Sequence, residues 1–294
     1  MKMWKVGFLC CCAIALLTFA LGPRSLPFLP FDASMSKTGL DLHNLYEAEY
    51  GKKWRLVKHL YEKHLRAKPS RKEKIPKIIH QIWLGGQLPE KYRALQATWL
   101  AKHPDWEYRL WTDADVQDFP FTNRERFEKA VNVGEKADIF RYEILNVYGG
   151  LYVDTDFECV RPFDVFHHLL DFYTGILGAY ADGQEVHIGN SLIGTVPHHP
   201  IIQSCLKEIG RKPPGKNADE VQAVSGPGCF RRAFFKYCEE GGYRNVAFPF
   251  TFFYPLPPHE RSGHLDGIVK NSWIEPETFG IHYWDTSWTN KRYR

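Results

Sequence analysis

Two aspartates one residue apart close a short apolar run in residues 149–160, GGLYVDTDFECV. Read as a strand, the segment sets Asp154 and Asp156 on one face and Val153 and Thr155 on the other. Two ionised carboxylates held that close repel each other, and a divalent cation is the most economical partner. Upstream, Asp138 and Arg141 stand three apart, so they share one face of a helix that runs directly into this strand. Trp83 ends another apolar run and is an aromatic plate of the kind that stacks on a base or ribose. His282, in IHYWDTSW, follows a further apolar step and could supply a third metal ligand. Each feature alone has a plainer explanation: a chance D-x-D, a helix-surface ion pair worth a few tenths of a kcal/mol, a core tryptophan, a satisfied histidine. Their joint arrangement points to a site.

The elements that must position these residues alternate. IPKIIHQIWLGG (75–86) has the β-branched content of a buried strand ending at glycines, and PEKYRALQATWLAKH has helical periodicity with Pro89 in its first turn. WEYRLWT (106–112) alternates as a strand, two short polar helical segments follow, and residues 135–150 read as a helix with Ile139, Ile144 and Leu145 inward and Gly149 and Gly150 as its cap. Later come a strand near 174–179, a turn through HIGNSLIGTVPHHP, a helix at 200–210, a helix opened by SGPG (225–228), and an aromatic, proline-rich stretch. This alternation predicts an α/β sheet flanked by helices, with ligands beyond the carboxyl ends of the strands, where Asp154 and Asp156 fall.

Formal net charge is +4, but residues 1–74 hold 14 Lys+Arg against 6 Asp+Glu and residues 75–294 hold 24 against 28. A slightly acidic folded part excludes nucleic acid as a partner on grounds of basicity. Residues 6–22 form an uncharged run behind Lys2 and Lys5, at the short end of what spans a bilayer. With no small-x-small cleavage signal, residues 1–22 read as a membrane anchor rather than a cleaved signal peptide, and Cys10, Cys11 and Cys12 as small apolar residues within it. Residues 23–74 read as a stem whose later part, 40–66, is one or two helices that pack on the domain or lie along a membrane surface; the compact domain is 75–294. Cys159, Cys205, Cys229 and Cys238 lack C-x-x-C spacing, which argues against zinc and leaves one or two disulfides open.

The run from IPKIIHQIW through LPEKYRALQATW and YRLWTD to KADIFRYEILNVYGGLYVDTDFE resembles the sugar-binding, D-x-D region of glycosyltransferase family 32, the group that includes fungal outer-chain and inositol-phosphoceramide mannosyltransferases. It is similar, more distantly, to the glucosyltransferase domains of large clostridial toxins. NSLIGTVPHHP, SGPG and HYWDTSW extend the likeness over residues 75–294. The resemblance implies a GT-A nucleotide-diphospho-sugar transferase fold with a mixed Rossmann-like sheet. It implies Mn²⁺ or Mg²⁺ on Asp156, with Asp154 on the ribose or on the metal through water, and Asp138 with Arg141 on the donor sugar's hydroxyls. Trp83 and Tyr152 would face the nucleotide, Asn190 the sugar or diphosphate, and His282 with Trp288 the metal-diphosphate side; some relatives have a carboxylate near position 282. The co-substrate would be GDP-mannose or, as the alternative, a UDP-hexose, and the acceptor a glycan, glycolipid or protein. Retention of the donor's α configuration is also implied, and with Asp138, Asp154 and Asp156 committed, Glu158 and Asp285 are the remaining carboxylates for a base. A lumen-facing, single-pass Golgi enzyme follows from the anchor and the need for nucleotide sugars.

Three other readings compete. A phosphatase with an aspartyl nucleophile expects its D-x-D near the domain start, whereas this one lies about eighty residues in. A calcium loop needs glycine at its sixth position, which is Cys159. A silent glycan-binding relative would not need the whole polar set.

Overall fold

The computed structural model describes residues 28–38, 42–177, 185–258 and 273–285. The expected anchor at 1–22 and Trp288 lie outside them; among the described residues no helix is long and apolar enough to cross a membrane.

The chain forms an α/β domain around a six-stranded mixed sheet, ordered β2-β1-β3-β6-β5-β7. β1 (Ile78–Ile82) is parallel to β2 (Glu107–Trp111) and to β3 (Gly150–Val153). β6 (Leu192–Thr195) runs antiparallel to β3 and to β5 (Phe172–Gly175), and β5 is parallel to β7 (Asn245–Phe248). A separate two-stranded ribbon pairs β4 (Phe157–Cys159) with β8 (Gly280–His282). β3 is therefore central, and its carboxyl end opens between β1 and β6.

The helix Val133–Tyr148 feeds β3. Asn132 caps its start by accepting from the backbone N–H groups of Gly134 and Glu135, and Ile139, Ile144 and Leu145 are fully buried. Gly149 and Gly150 have φ of 62° and 89°, and a Cβ on Gly150 would lie 2.7 Å from the Ile78 carbonyl oxygen. Only glycine allows the helix to turn this closely against β1. His80, wholly buried on β1, accepts from Trp111 Nε1 at 3.1 Å and lies 3.0 Å from the Gly149 carbonyl; burial holds its pKa down to about 3, so the ring is neutral packing.

Residues 28–38 and 42–65 join the same core. Trp54, Val57, Leu60 and Tyr61 on the helix Gly51–Leu65 are buried together with Phe31 and Met35, and the helix packs on β7. At roughly 1.5–3 kcal/mol per buried large apolar side chain, this is substantial anchorage. The helical part thus packs on the domain, one of the two placements expected for residues 40–66, whereas residues 28–38, expected to belong to a poorly ordered stem, contribute a helix, Phe31–Met35, to the core.

Several readings of the pattern need correction. The D-x-D is not in a strand: β3 ends at Val153, and Asp154–Phe157 form a turn closed by Phe157 N–H to the Asp154 carbonyl at 3.3 Å. The supposed turn around residue 192 contains β6, whose Gly194 lies flat under Tyr173, where a Cβ would meet the ring at 2.0 Å. β5 stops at Gly175 rather than covering 174–179, β7 opens the aromatic stretch, and β8 carries His282. The four described cysteines are free and buried, with no disulfide.

Candidate active site

The end of β3 opens into a cavity of about 570 Å³. Asp138, Arg141, Asp154, Asp156 and His282 line it, and so do Trp83, Tyr152 and Asn190. The structure thus brings together these eight candidates from five stretches of chain; of the two reserve carboxylates, Asp285 lines the cavity and Glu158, which accepts from the Tyr283 hydroxyl, does not.

One end is built on Arg141. Its guanidinium is buried, donates to the Asn190 carbonyl at 2.6 Å, lies 3.3 Å from Asp138 and 3.4 Å from Asp154, and sits over the Tyr152 ring at 4.5 Å. Burial opposes its charge, but Tyr152, Asp154 and Asp138 outweigh this and hold its pKa above the ordinary value. Asp138 accepts from Asn190 Nδ2 at 2.8 Å and from Ser225 Oγ at 2.9 Å. Asn190 Nδ2 also reaches the Tyr142 hydroxyl at 3.0 Å, and that hydroxyl donates to the Ser225 carbonyl. Burial pushes the Asp138 carboxyl up to about 6, with Arg141, Ser225 and Asn190 pulling against it. This is a pre-assembled polar pocket floor, held in one geometry by paired groups.

At the other end Asp154, Asp156 and His282 each offer a ligand atom, all within 4.8 Å of one another. Two ligands of one ion at about 2.0–2.6 Å lie within about 5 Å of each other, so the set can share a cation. The Asp154 backbone is pinned by its N–H to the Ser191 carbonyl at 2.8 Å, and Oδ1 accepts from Tyr152 Oη at 2.6 Å. Burial raises the Asp154 pKa against the pull of Arg141, and the Asp156 charge raises it further. Asp156 Oδ2 accepts the Asp285 N–H at 2.7 Å and lies 3.2 Å from His282 Nε2. The His282 ring stacks on Phe157 at 4.6 Å, and its buried Nδ1 has no hydrogen-bond partner. The donor set of two carboxylates and one imidazole, facing an open cavity, fits a divalent ion that keeps positions for phosphate and water.

Trp83 and Tyr92 form a wall, their rings 5.0 Å apart, and Tyr92 Oη donates to Asp285 at 2.7 Å. Trp284 closes the cavity at a φ of 55°, a strained conformation for a tryptophan; its Nε1 donates to the Leu256 carbonyl at 2.6 Å and its ring lies 4.4 Å from His282.

Residues 89–173 match the family model described as a glycosyltransferase sugar-binding region containing a DXD motif. The segment holds Asp138, Arg141, Tyr152, Asp154 and Asp156, so the resemblance read from the sequence is shown where the site is densest. Inositol phosphoceramide mannosyltransferase 3 of Schizosaccharomyces pombe is 35% identical over 142 residues, which cover 47% of this chain and 38% of that protein. Mannosyl phosphorylinositol ceramide synthase SUR1 of Saccharomyces cerevisiae is 34% identical, covering 48% of this chain and 36% of the relative. The chain thus spans less than two fifths of the length of these curated relatives. Among solved structures, PaToxG glycosyltransferase aligns at 19% identity and a TM-score of 0.44, covering 66% of this chain and 80% of that one, too low a score to carry argument.

Ser225, Tyr142 and Trp284 were not singled out from the sequence. All three lie inside stretches that carry the resemblance, Tyr142 in KADIFRYEILNVYGG, Ser225 in SGPG and Trp284 in HYWDTSW, but none was given a role there.

Proposed function

We propose that the chain is a metal-assisted, retaining hexosyltransferase of GT-A architecture that uses a nucleotide-sugar donor. The observation that carries this reading is the adjacency, in one cavity, of a three-ligand cation site and the Asp138–Asn190–Ser225 cradle. When bound, Mn²⁺ or Mg²⁺ would be held by Asp154, Asp156 and His282 and would neutralise charge on a departing diphosphate. Asp138, once ionised, accepts a hydrogen bond from a hydroxyl of the donor sugar and so orients the ring. Arg141 fixes Asp138, Asp154 and the Asn190 backbone and places a permanent positive charge beside the separating charges. With the three aspartates so engaged, a front-face route follows: the leaving phosphate oxygen takes the proton of the acceptor hydroxyl while the new glycosidic bond forms on the face the phosphate leaves. Trp83 gives the nucleotide a stacking surface.

The relatives' names favour mannose as the sugar, for which GDP-mannose is the donor we propose, and a glycolipid acceptor bearing an inositol phosphate head. The apolar run 6–22 supports an uncleaved anchor with the domain facing the Golgi lumen, a placement that retention of the chain in vesicles through an alkaline wash tests. Incubating the full chain with a panel of nucleotide sugars, with Mn²⁺ or with EDTA, tests the reaction class. Metal-dependent hydrolysis of GDP-mannose is the expected result. Turnover of UDP-sugars alone would reassign the donor, and no hydrolysis of any donor would leave a glycan-binding protein.

A further inference from the structure

The helix Gly51–Leu65 has two faces, and the core uses only one. Trp54, Val57, Leu60, Tyr61 and His64 are buried, while Lys52, Arg55, His59 and Lys63 are exposed, as is Arg66 at the C-cap. At about 100° per residue these five fall within an arc of about 80°, so they form one straight stripe. Glu62 is the helix's one acid, and the exposed Lys68, Arg71 and Lys72 prolong the run. The stripe is a local excess, since residues 75–294 carry more acidic than basic side chains.

Two further observations concern the helix's other contacts. Tyr61 Oη donates to the Leu29 carbonyl at 2.9 Å, and Phe31 packs on the Tyr61 ring at 5.7 Å. The chain therefore leaves the domain beside this helix, and Leu29 is seven residues from the end of the apolar run at Gly22, a reach of at most about 25 Å. Toward the helix's start, Lys53 bonds Glu185 at 3.0 Å and Glu185 bonds Arg231 at 2.7 Å. Arg231 lines a second cavity of about 350 Å³ that shares Leu177, His187, Gln222 and Pro227 with the main one.

We propose that the cationic face of residues 52–66 seats the domain on a negatively charged bilayer surface. The proposal rests on the reading of residues 1–22 as an anchor, which brings the helix to the membrane. Headgroup anions then meet the stripe. Lys53, on the same helix but off the stripe, links through Glu185 to Arg231 at the rim of the second cavity.

Lysine footprinting tests this on the full chain reconstituted in vesicles of phosphatidylcholine alone or of phosphatidylcholine with phosphatidylserine. Acylation of Lys52 and Lys63 is read by mass spectrometry against the exposed Lys102 and Lys129. The expected result is protection of Lys52 and Lys63 by about fivefold or more on the anionic vesicles alone, the scale of one cation's attraction to such a surface. Raised salt should reverse it. In the Lys63→Glu/Arg66→Glu variant, which keeps the buried face, Lys52 should label as it does on neutral vesicles. Equal labelling on both vesicle types would overturn the proposal, as would protection without vesicles that grows with protein concentration, which would assign the face to a second copy. Release of the chain by an alkaline wash with the protection intact would remove the anchor and leave the docking standing.

Discussion

The two ends of the cavity are built by opposite rules. Around Arg141 the protein satisfies its own groups: Asp138, Asn190, Ser225 and Tyr142 are bonded to one another and to the backbone. Around Asp156 three ligand atoms converge within 4.8 Å of one another besides their own hydrogen bonds, and the buried His282 Nδ1 has no hydrogen-bond partner. The first arrangement spends folding energy on holding a shape. The second leaves like-charged groups together, a deficit that an added cation would relieve. One end should thus matter to the fold and the reaction, the other to the reaction alone.

The largest expected effect breaks the cation end. Asp156→Ala should lower donor hydrolysis by about 10³-fold, the scale of several kcal/mol of Lewis-acid stabilisation. Thermal unfolding without metal should change little, because the variant relieves repulsion with Asp154, and the rise in Tm on adding Mn²⁺ seen for the native chain should vanish. Activity equal to the native chain's in the presence of EDTA would remove the cation from the mechanism.

Arg141→Met tests the other end and should divide its effect differently. Removing the guanidinium leaves Asp138 and Asp154 without their shared counter-charge, so denaturant unfolding should show a loss of roughly 3–5 kcal/mol, typical of a broken buried pair. Activity falls with it. A variant as stable as the native chain would show that Arg141 serves the reaction only, and the contrast between the two ends would fail.

The difference also explains how much could be read in advance. Asp138, Arg141, Asp154 and Asp156 lie within one helix-turn-strand unit, so local spacing placed them together. The shared strand face expected for the aspartate pair is absent: a turn after Val153 points both into the cavity. The α/β class and the helix Val133–Tyr148 followed from periodicity and from the Gly149–Gly150 cap. β6 did not, because Leu-Ile-Gly-Thr is four residues long and its glycine, which accommodates Tyr173, reads as a breaker. His282 was reachable only as a guess from a downstream apolar step. Ser225 stands 87 positions from the carboxylate it bonds, a pairing that only the folded chain creates.

Ser225 carries the smallest prediction, which sharpens the account of the paired end. Asp138 has its pKa raised to about 6 from an ordinary 3.8, chiefly by burial. Between those values the folded chain holds a proton that the unfolded chain has released. This contribution to stability is therefore complete below about pH 4 and is lost as pH rises through 6. Sugar binding has the opposite need, an ionised Asp138 that can accept a hydroxyl, so activity should climb through pH 6. The Ser225 hydroxyl favours the ionised form by donating at 2.9 Å. In Ser225→Ala that bond is gone, and the acid limb of the rate profile should move up by about one pH unit, the equivalent of one hydrogen bond to a charged group. The rate at pH 8 should stay near the native value, and Ser225→Thr should return the limb to its place. A limb unmoved in Ser225→Ala would mean that Asp138 is not the group whose ionisation the reaction awaits.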